Sequence, residues 1–129
     1  MDKYEFGRLG EQAAAAYMEN LGYEIVGRNV HVGHSEIDII CKSGKYLVFV
    51  EVKTRDMIPG QESRFGPPRA AVNREKQDHL IRGALQYMNW KGLRHKVNPR
   101  IDVIEVYATA SPMFTVREIK YHKNAVKRR

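Results

Sequence analysis

Apolar and polar positions divide the chain into seven elements in the order helix, strand, strand, strand, helix, strand, strand. From Lys3 to Leu21, the residues Phe6, Leu9, Ala13, Tyr17 and Leu21 recur at helical spacing, and Gly22 supplies a left-handed stop. Tyr23 to Val32 alternates weakly as a first strand. Ser35 to Cys41 and Tyr46 to Thr54 read as two arms of a hairpin, joined by Lys42-Ser43-Gly44-Lys45 with glycine where positive φ is needed. The segment from Asp56 to Pro68 holds Gly60, Gly66 and three prolines and shows little periodicity, which predicts a loop. A second helix is expected after Asn73, a good N-cap. It runs to about Lys91 with Leu80, Ile81, Ala84, Leu85 and Met88 inward and Gly92 ending it. Two closing strands are expected over Arg100 to Ala108 and Phe114 to His122.

Charged residues intrude on this apolar pattern most conspicuously on the hairpin. Glu36, Asp38, Glu51 and Lys53 lie on its two arms, and by the two-residue period of a strand all four project from one face. A two-residue Ser43-Gly44 loop opposes Glu36 to Glu51 and Asp38 to Phe49. It leaves Asp38 and Glu51 as diagonal neighbours roughly 7–8 Å apart between backbones. Like charges opposed on a sheet destabilise it unless something neutralises them. Lys53 offers one positive charge, and a divalent cation held by Asp38 and Glu51 offers more; hard oxygen ligands of this kind suit Mg²⁺ or Mn²⁺. The run from Leu47 to Val50 is continuous rather than alternating, which argues for burial on both faces. A single strand carboxylate usually faces water, but the four together point to chemistry. Glu36 stays open between an extra metal or water ligand and a solvent-facing strand end.

Composition narrows the chemistry. Lys and Arg number 22 against 15 Asp and Glu, a net charge of +7, so the surface attracts polyanions such as DNA or RNA without choosing between them. Acidic residues clustered inside a basic chain suit a phosphodiester enzyme, in which the surface draws in the backbone and the carboxylates hold a metal against one phosphate. The length of 129 residues fits one domain, read here as residues 1–122 with a basic tail at 123–129. Cys41 is the single cysteine, so neither an internal disulfide nor a Cys/His zinc pattern is available. The five histidines show no metal-ligand spacing and are expected at surface or turn positions. Without an apolar leader or a run near the ~20 residues of a membrane span, a cytoplasmic protein with no membrane partner is the expectation.

The order of elements, together with Gly7-Arg8-Leu9-Gly10-Glu11, Gly22-Tyr23, Glu36-Ile37-Asp38, Phe49-Val50-Glu51-Val52-Lys53-Thr54-Arg55, Phe65-Gly66 and Arg100-Ile101-Asp102, resembles the PD-(D/E)XK nuclease superfamily. More narrowly it resembles the small bacterial YraN-type endonuclease-like proteins, relatives of the archaeal Holliday junction resolvases. The resemblance spans nearly all of residues 5 to 107. It departs from the superfamily's name at Ile37, where the name has proline. It implies an α/β, restriction-endonuclease-like mixed central sheet of about five strands flanked by helices, and a metal-dependent DNA endonuclease. It further implies that Asp38 and Glu51 ligate Mg²⁺ or Mn²⁺, that Lys53 orients the attacking water or steadies charge on the phosphate, and that Glu11 assists from the first helix. Because junction resolvases cut two strands as symmetric dimers, it also implies a homodimer.

Around the Gly/Pro loop and the entry to the second helix, Arg55, Arg64, Arg69, Arg74 and Lys76 are candidates for gripping phosphates beside the site. Phe65 and Trp90 are read as packing residues before base platforms, and Asp102 as half of a structural salt bridge. Two functional readings remain at this level. The first is a metal-dependent endonuclease acting on DNA, branched or junction structures included, with RNA not excluded. The second is a non-catalytic nucleic-acid-binding or adaptor protein that retains the nuclease fold.

Overall fold

The structure, a computed structural model, describes residues 1–57 and 73–127. Its elements are α1 (Lys3–Asn20), β1 (Glu24–Val32), β2 (Ser35–Ser43), β3 (Tyr46–Asp56), α2 (Arg74–Trp90), β4 (Asn98–Thr109) and β5 (Thr115–Val126). The strands form one sheet in chain order, antiparallel except for β3 and β4, which run parallel. A parallel pair needs a crossover, and α2 lies in that connection. The expected mixed five-stranded sheet flanked by helices is therefore the observed architecture. No described helix is long and apolar enough to cross a membrane.

The two helices cover opposite faces. Phe49, Ile101 and Val103 pack with Ala84, Tyr87 and Met88 of α2, while Val48, Val50, Ile104 and Val106 pack with Ala14, Ala15 and Met18 of α1. Burial on both faces is why Leu47 to Val50 reads as a continuous apolar run. Local signals fix the helix ends. The Asp2 carboxylate accepts from the Glu5 N–H and the Asn73 amide oxygen from the Lys76 N–H, while Gly22 and Gly92 follow the helices at φ 98° and 66°.

Four expectations are corrected. The buried face of α1 is Gly10, Ala14, Ala15 and Met18, whereas Leu21 of the predicted stripe is 51% exposed. Small residues let the helix sit close to the sheet: a Cβ at Gly10 would collide with the Thr54 side chain. The hairpin turns at Gly44-Lys45 rather than Ser43-Gly44, so Ser43 pairs with Tyr46 and Ile39 with Val50. That is a two-residue shift, which brings Asp38 level with Glu51 and removes Glu36 from opposite it. Nor do the four charged side chains share one face: Ile37 packs on the α2 side but Val50 and Val52 on the α1 side, so Glu36 points towards α1 and Glu51 towards α2. Finally, β5 continues to Val126, which is 4% exposed, because Ala125 and Val126 pack into the core beneath α2; the strand thus includes part of what the charge pattern suggested as tail. The predicted loop from Asp56 falls mostly on residues 58–72, outside the described residues.

Candidate active site

Strand β2 changes character at Asp38. Ile37 belongs to the α2-side cluster and Ile39 to the α1-side cluster, so the regular alternation of side chains slips across this residue. Its ladder with β3 also ends here, at Ile39 and Val50. In place of a strand carbonyl, the Asp38 Oδ2 accepts the Val52 N–H at 2.8 Å. The carboxylate is thereby fixed at the point where the two strands diverge.

Glu51, 5% exposed, lies within hydrogen-bonding reach of Asp38. Two cations meet it: Lys53 Nζ and Lys76 Nζ are each 3.3 Å from Glu51 Oε2. Lys53 arrives there because two residues along a strand return a side chain to the same face, and Lys76 because α2 begins above that face. Among the described residues no cation forms an ion pair with Asp38. Burial first, then the Glu51 charge and more weakly that of Glu11, push its carboxyl up from an ordinary 3.8 to about 8, against the opposing pull of the Val52 N–H. At neutral pH the Asp38 carboxyl therefore keeps its proton in the ion-free protein.

Glu11, on α1, is felt at Asp38 but is held elsewhere: its Oε1 accepts from the Asn29 amide at 2.9 Å. Glu36 is exposed, 3.4 Å from His31 Nε2 and 3.5 Å from the Asn29 amide nitrogen, so its solvent-facing reading is the observed one. Among the described residues, no three His, Cys, Asp or Glu side chains converge to hold an ion. Two carboxylates still fit Mg²⁺ or Mn²⁺, since Mg²⁺ commonly keeps several waters and takes only one or two protein carboxylates.

Of the expected phosphate contacts, Lys76 stands inside the site rather than beside it. Arg55 is turned to a buried partner, with Nη2 3.3 Å from Glu105 Oε2. Arg64 and Arg69 lie outside the described residues, as does Phe65. Trp90 is 62% exposed, edge-on to Tyr87.

A second polar cluster was missed by the sequence reading. Glu105, 1% exposed, accepts from the Tyr107 hydroxyl at 3.0 Å and lies 3.0 Å from His122 Nε2 as well as meeting Arg55. It pairs with Lys53 across the parallel β3–β4 ladder, so this cluster flanks the site. A carboxylate within the apolar run Ile101 to Ala108 was the available signal, the same one that singled out Asp38 and Glu51. His122 is accordingly no surface residue. Asp102, by contrast, forms the expected salt bridge, bound by Arg100 through Nε at 3.0 Å and Nη2 at 2.9 Å. Burial pushes the Cys41 thiol up to about 12, so it is an inert core residue.

With this geometry in place, comparison with known proteins adds the following. The model of the uncharacterised protein family UPF0102 matches residues 10–106. A UPF0102 protein of Caldicellulosiruptor saccharolyticus is 38% identical over 97% of this chain and 99% of its own length. One from Desulforapulum autotrophicum is 47% identical over 81% of this chain and 82% of its own, and one from Geobacter sulfurreducens 43% identical over 78% and 73%. Among solved structures, that of Pyrococcus furiosus SfsA in complex with Ca²⁺ is a distant likeness. It is 16% identical with a TM-score of 0.43, covering 98% of this chain and 65% of that one.

Proposed function

The chain belongs to the uncharacterised protein family UPF0102, and we propose that it is a metal-dependent endonuclease of the PD-(D/E)XK type that hydrolyses phosphodiester bonds in DNA. One observation carries the reading: Asp38 and Glu51 meet where β2 parts from β3, with Lys53 and Lys76 each 3.3 Å from Glu51 and, among the described residues, no cation paired with Asp38. A folded protein tolerates such a pair poorly unless a cation joins it in the working state. A divalent ion bound there supplies Lewis acidity to a phosphoryl oxygen and lowers the pKa of a bound water.

The residues divide the remaining work. Asp38 is oriented by the Val52 N–H, and Glu51 is its fellow ligand. Lys53 and Lys76, each 3.3 Å from Glu51, would put positive charge beside a phosphate held at the pair. Lys53 is the better placed to orient the attacking water, because it shares the strand and face of Glu51. Glu11 contributes negative field from α1 without touching the pair. The net charge of +7 draws the polyanion to the surface in a salt-dependent manner. For a junction substrate, two copies of the chain would be needed to cut two strands, and sedimentation with junction DNA bound measures that.

A second reading has one observation in its favour: no third carboxylate or imidazole joins the pair among the described residues. In that reading the protein binds nucleic acid without cutting it. Cleavage of labelled four-way junction, flap and linear duplex DNA with Mg²⁺ or Mn²⁺, run beside Glu51→Ala and Lys53→Ala, separates the two. Metal-dependent products lost in both variants support the nuclease; DNA binding that survives both substitutions, with no cutting even by the parent, supports the binder.

A further inference from the structure

Asn29 occupies an unusual place beside the proposed site. In the β1–β2 ladder it falls between the pairs Arg28 with Ile39 and Val30 with Ile37, across from Asp38. Its backbone is left-handed at φ 49°, a conformation costly for most residues and tolerated best by glycine and asparagine. The irregularity in β1 thus faces the break in β2. It turns the Asn29 amide towards two carboxylates, Glu11 Oε1 at 2.9 Å and Glu36 Oε1 at 3.5 Å. Because both neighbours are acceptors, the nitrogen of the amide is the atom that must face them. Glu11, Asn29 and Glu36 also line one cavity of about 490 Å³.

We propose that Asn29 is a positioning residue, which acts through Glu11 on the affinity of the Asp38/Glu51 pair for a hard divalent cation. The inference rests on the nuclease reading above. Glu11 is near enough for its charge to be felt at Asp38, yet it is not one of a converging ligand set. It therefore belongs to the outer shell, where the orientation of a carboxylate matters as much as its charge. A flexible glutamate on an exposed helix face would sample several rotamers. The Asn29 amide selects one, and the left-handed backbone at 29 is what brings the amide into line. Glu36, held from its other side by His31 at 3.4 Å, gives the amide a second acceptor and limits its own rotation.

The conformational and hydrogen-bonding roles separate by substitution. Asn29→Gly accepts the left-handed backbone and removes the amide; Asn29→Asp tolerates the same backbone and replaces the donor with an acceptor. The test is Mn²⁺ binding by the full chain without DNA, read from the free-ion electron paramagnetic resonance signal, with melting temperature measured alongside. Asn29→Gly is expected to melt with the parent and to bind Mn²⁺ about tenfold more weakly, as for other losses of an outer-shell partner. In a Glu11→Gln background the same substitution is expected to change affinity by less than about twofold, because the charge it positions is already gone. Parent affinity retained in both Asn29→Gly and Asn29→Asp, or an equal tenfold loss in the Glu11→Gln background, overturns the role of Asn29 while leaving the proposed function intact. Absence of Mn²⁺ binding by the parent itself overturns both.

Discussion

Asp38 and Asp102 both interrupt apolar strands of the same sheet, and the molecule treats them in opposite ways. Asp102 is wholly buried, and every side of it is answered: Arg100 grips it through two nitrogens, the Tyr121 hydroxyl donates to it, and the Asn124 N–H donates at 2.8 Å. Arg100 is satisfied in turn by Tyr23. Burial alone would lower its pKa, but the bonds to Asp102 and Tyr23 outweigh that and hold it above the usual range. Burial, then Asp102, likewise raises the Tyr121 hydroxyl, so it stays a donor. Asp38 is less buried, yet beyond one backbone N–H its charged neighbours are carboxylates. A satisfied buried charge is architecture, whereas a carboxyl set beside a second carboxylate with no cation of its own marks a candidate cation site.

Breaking the satisfied region should cost stability and leave ion binding alone. Asp102→Ala strands the Arg100 guanidinium in the core, and a loss of about 3–5 kcal/mol in denaturant unfolding is expected. Metal affinity measured on whatever fraction stays folded should match the parent, whereas a selective loss of affinity would tie Asp102 to the site. Breaking the unsatisfied region should do the reverse. Glu51→Ala and Lys53→Ala are each expected to lower DNA cleavage by at least about 10²–10³-fold, with unfolding little changed. Either variant cutting at the parent's rate would refute its role.

The comparison sharpens with pH. The Asp38 carboxyl titrates at about 8 in the folded protein against an ordinary 3.8, so between these values the folded state binds the extra proton. Its contribution to stability is therefore fully present below about pH 4 and is lost as pH rises through about 8. Asp38→Asn keeps an oxygen for the Val52 N–H but cannot ionise. In the ion-free protein it should raise stability by about 1–3 kcal/mol near pH 9 and change it little near pH 4. A variant whose gain is the same at both would mean that the pair carries no electrostatic penalty. The smallest effect is expected on DNA affinity: Lys76→Ala should reduce the salt slope of DNA binding by about one and weaken all sequences alike.

Most of this was legible in the sequence because its signals are local. Asn73 and Gly92 bracket α2, the continuous apolar run of β3 marks a strand buried on both faces, and Lys53 follows Glu51 by one strand period. What escaped was set by tertiary contact. Sliding the turn from Ser43-Gly44 to Gly44-Lys45 is neutral for facing, so hydrophobic pattern cannot detect it, yet it decides that Asp38 rather than Glu36 stands level with Glu51. The inward face of α1 is made of glycine and alanine, which close approach to Thr54 requires and hydrophobicity undervalues. Glu105 was overlooked because its partners Arg55, Tyr107 and His122 come from three strands, and Asn29 because only its backbone conformation marks it out.

The most direct test of the central claim is the proton released when Mg²⁺ binds. Because the Asp38 carboxyl keeps its proton at neutral pH and an ion must displace it, calorimetric titration near pH 7 in buffers of different ionisation enthalpy should show about one proton leaving per ion. Asp38→Asn should show none. Heats independent of buffer, or the same release from the variant, would contradict the assignment of the carboxylate pair as the metal site.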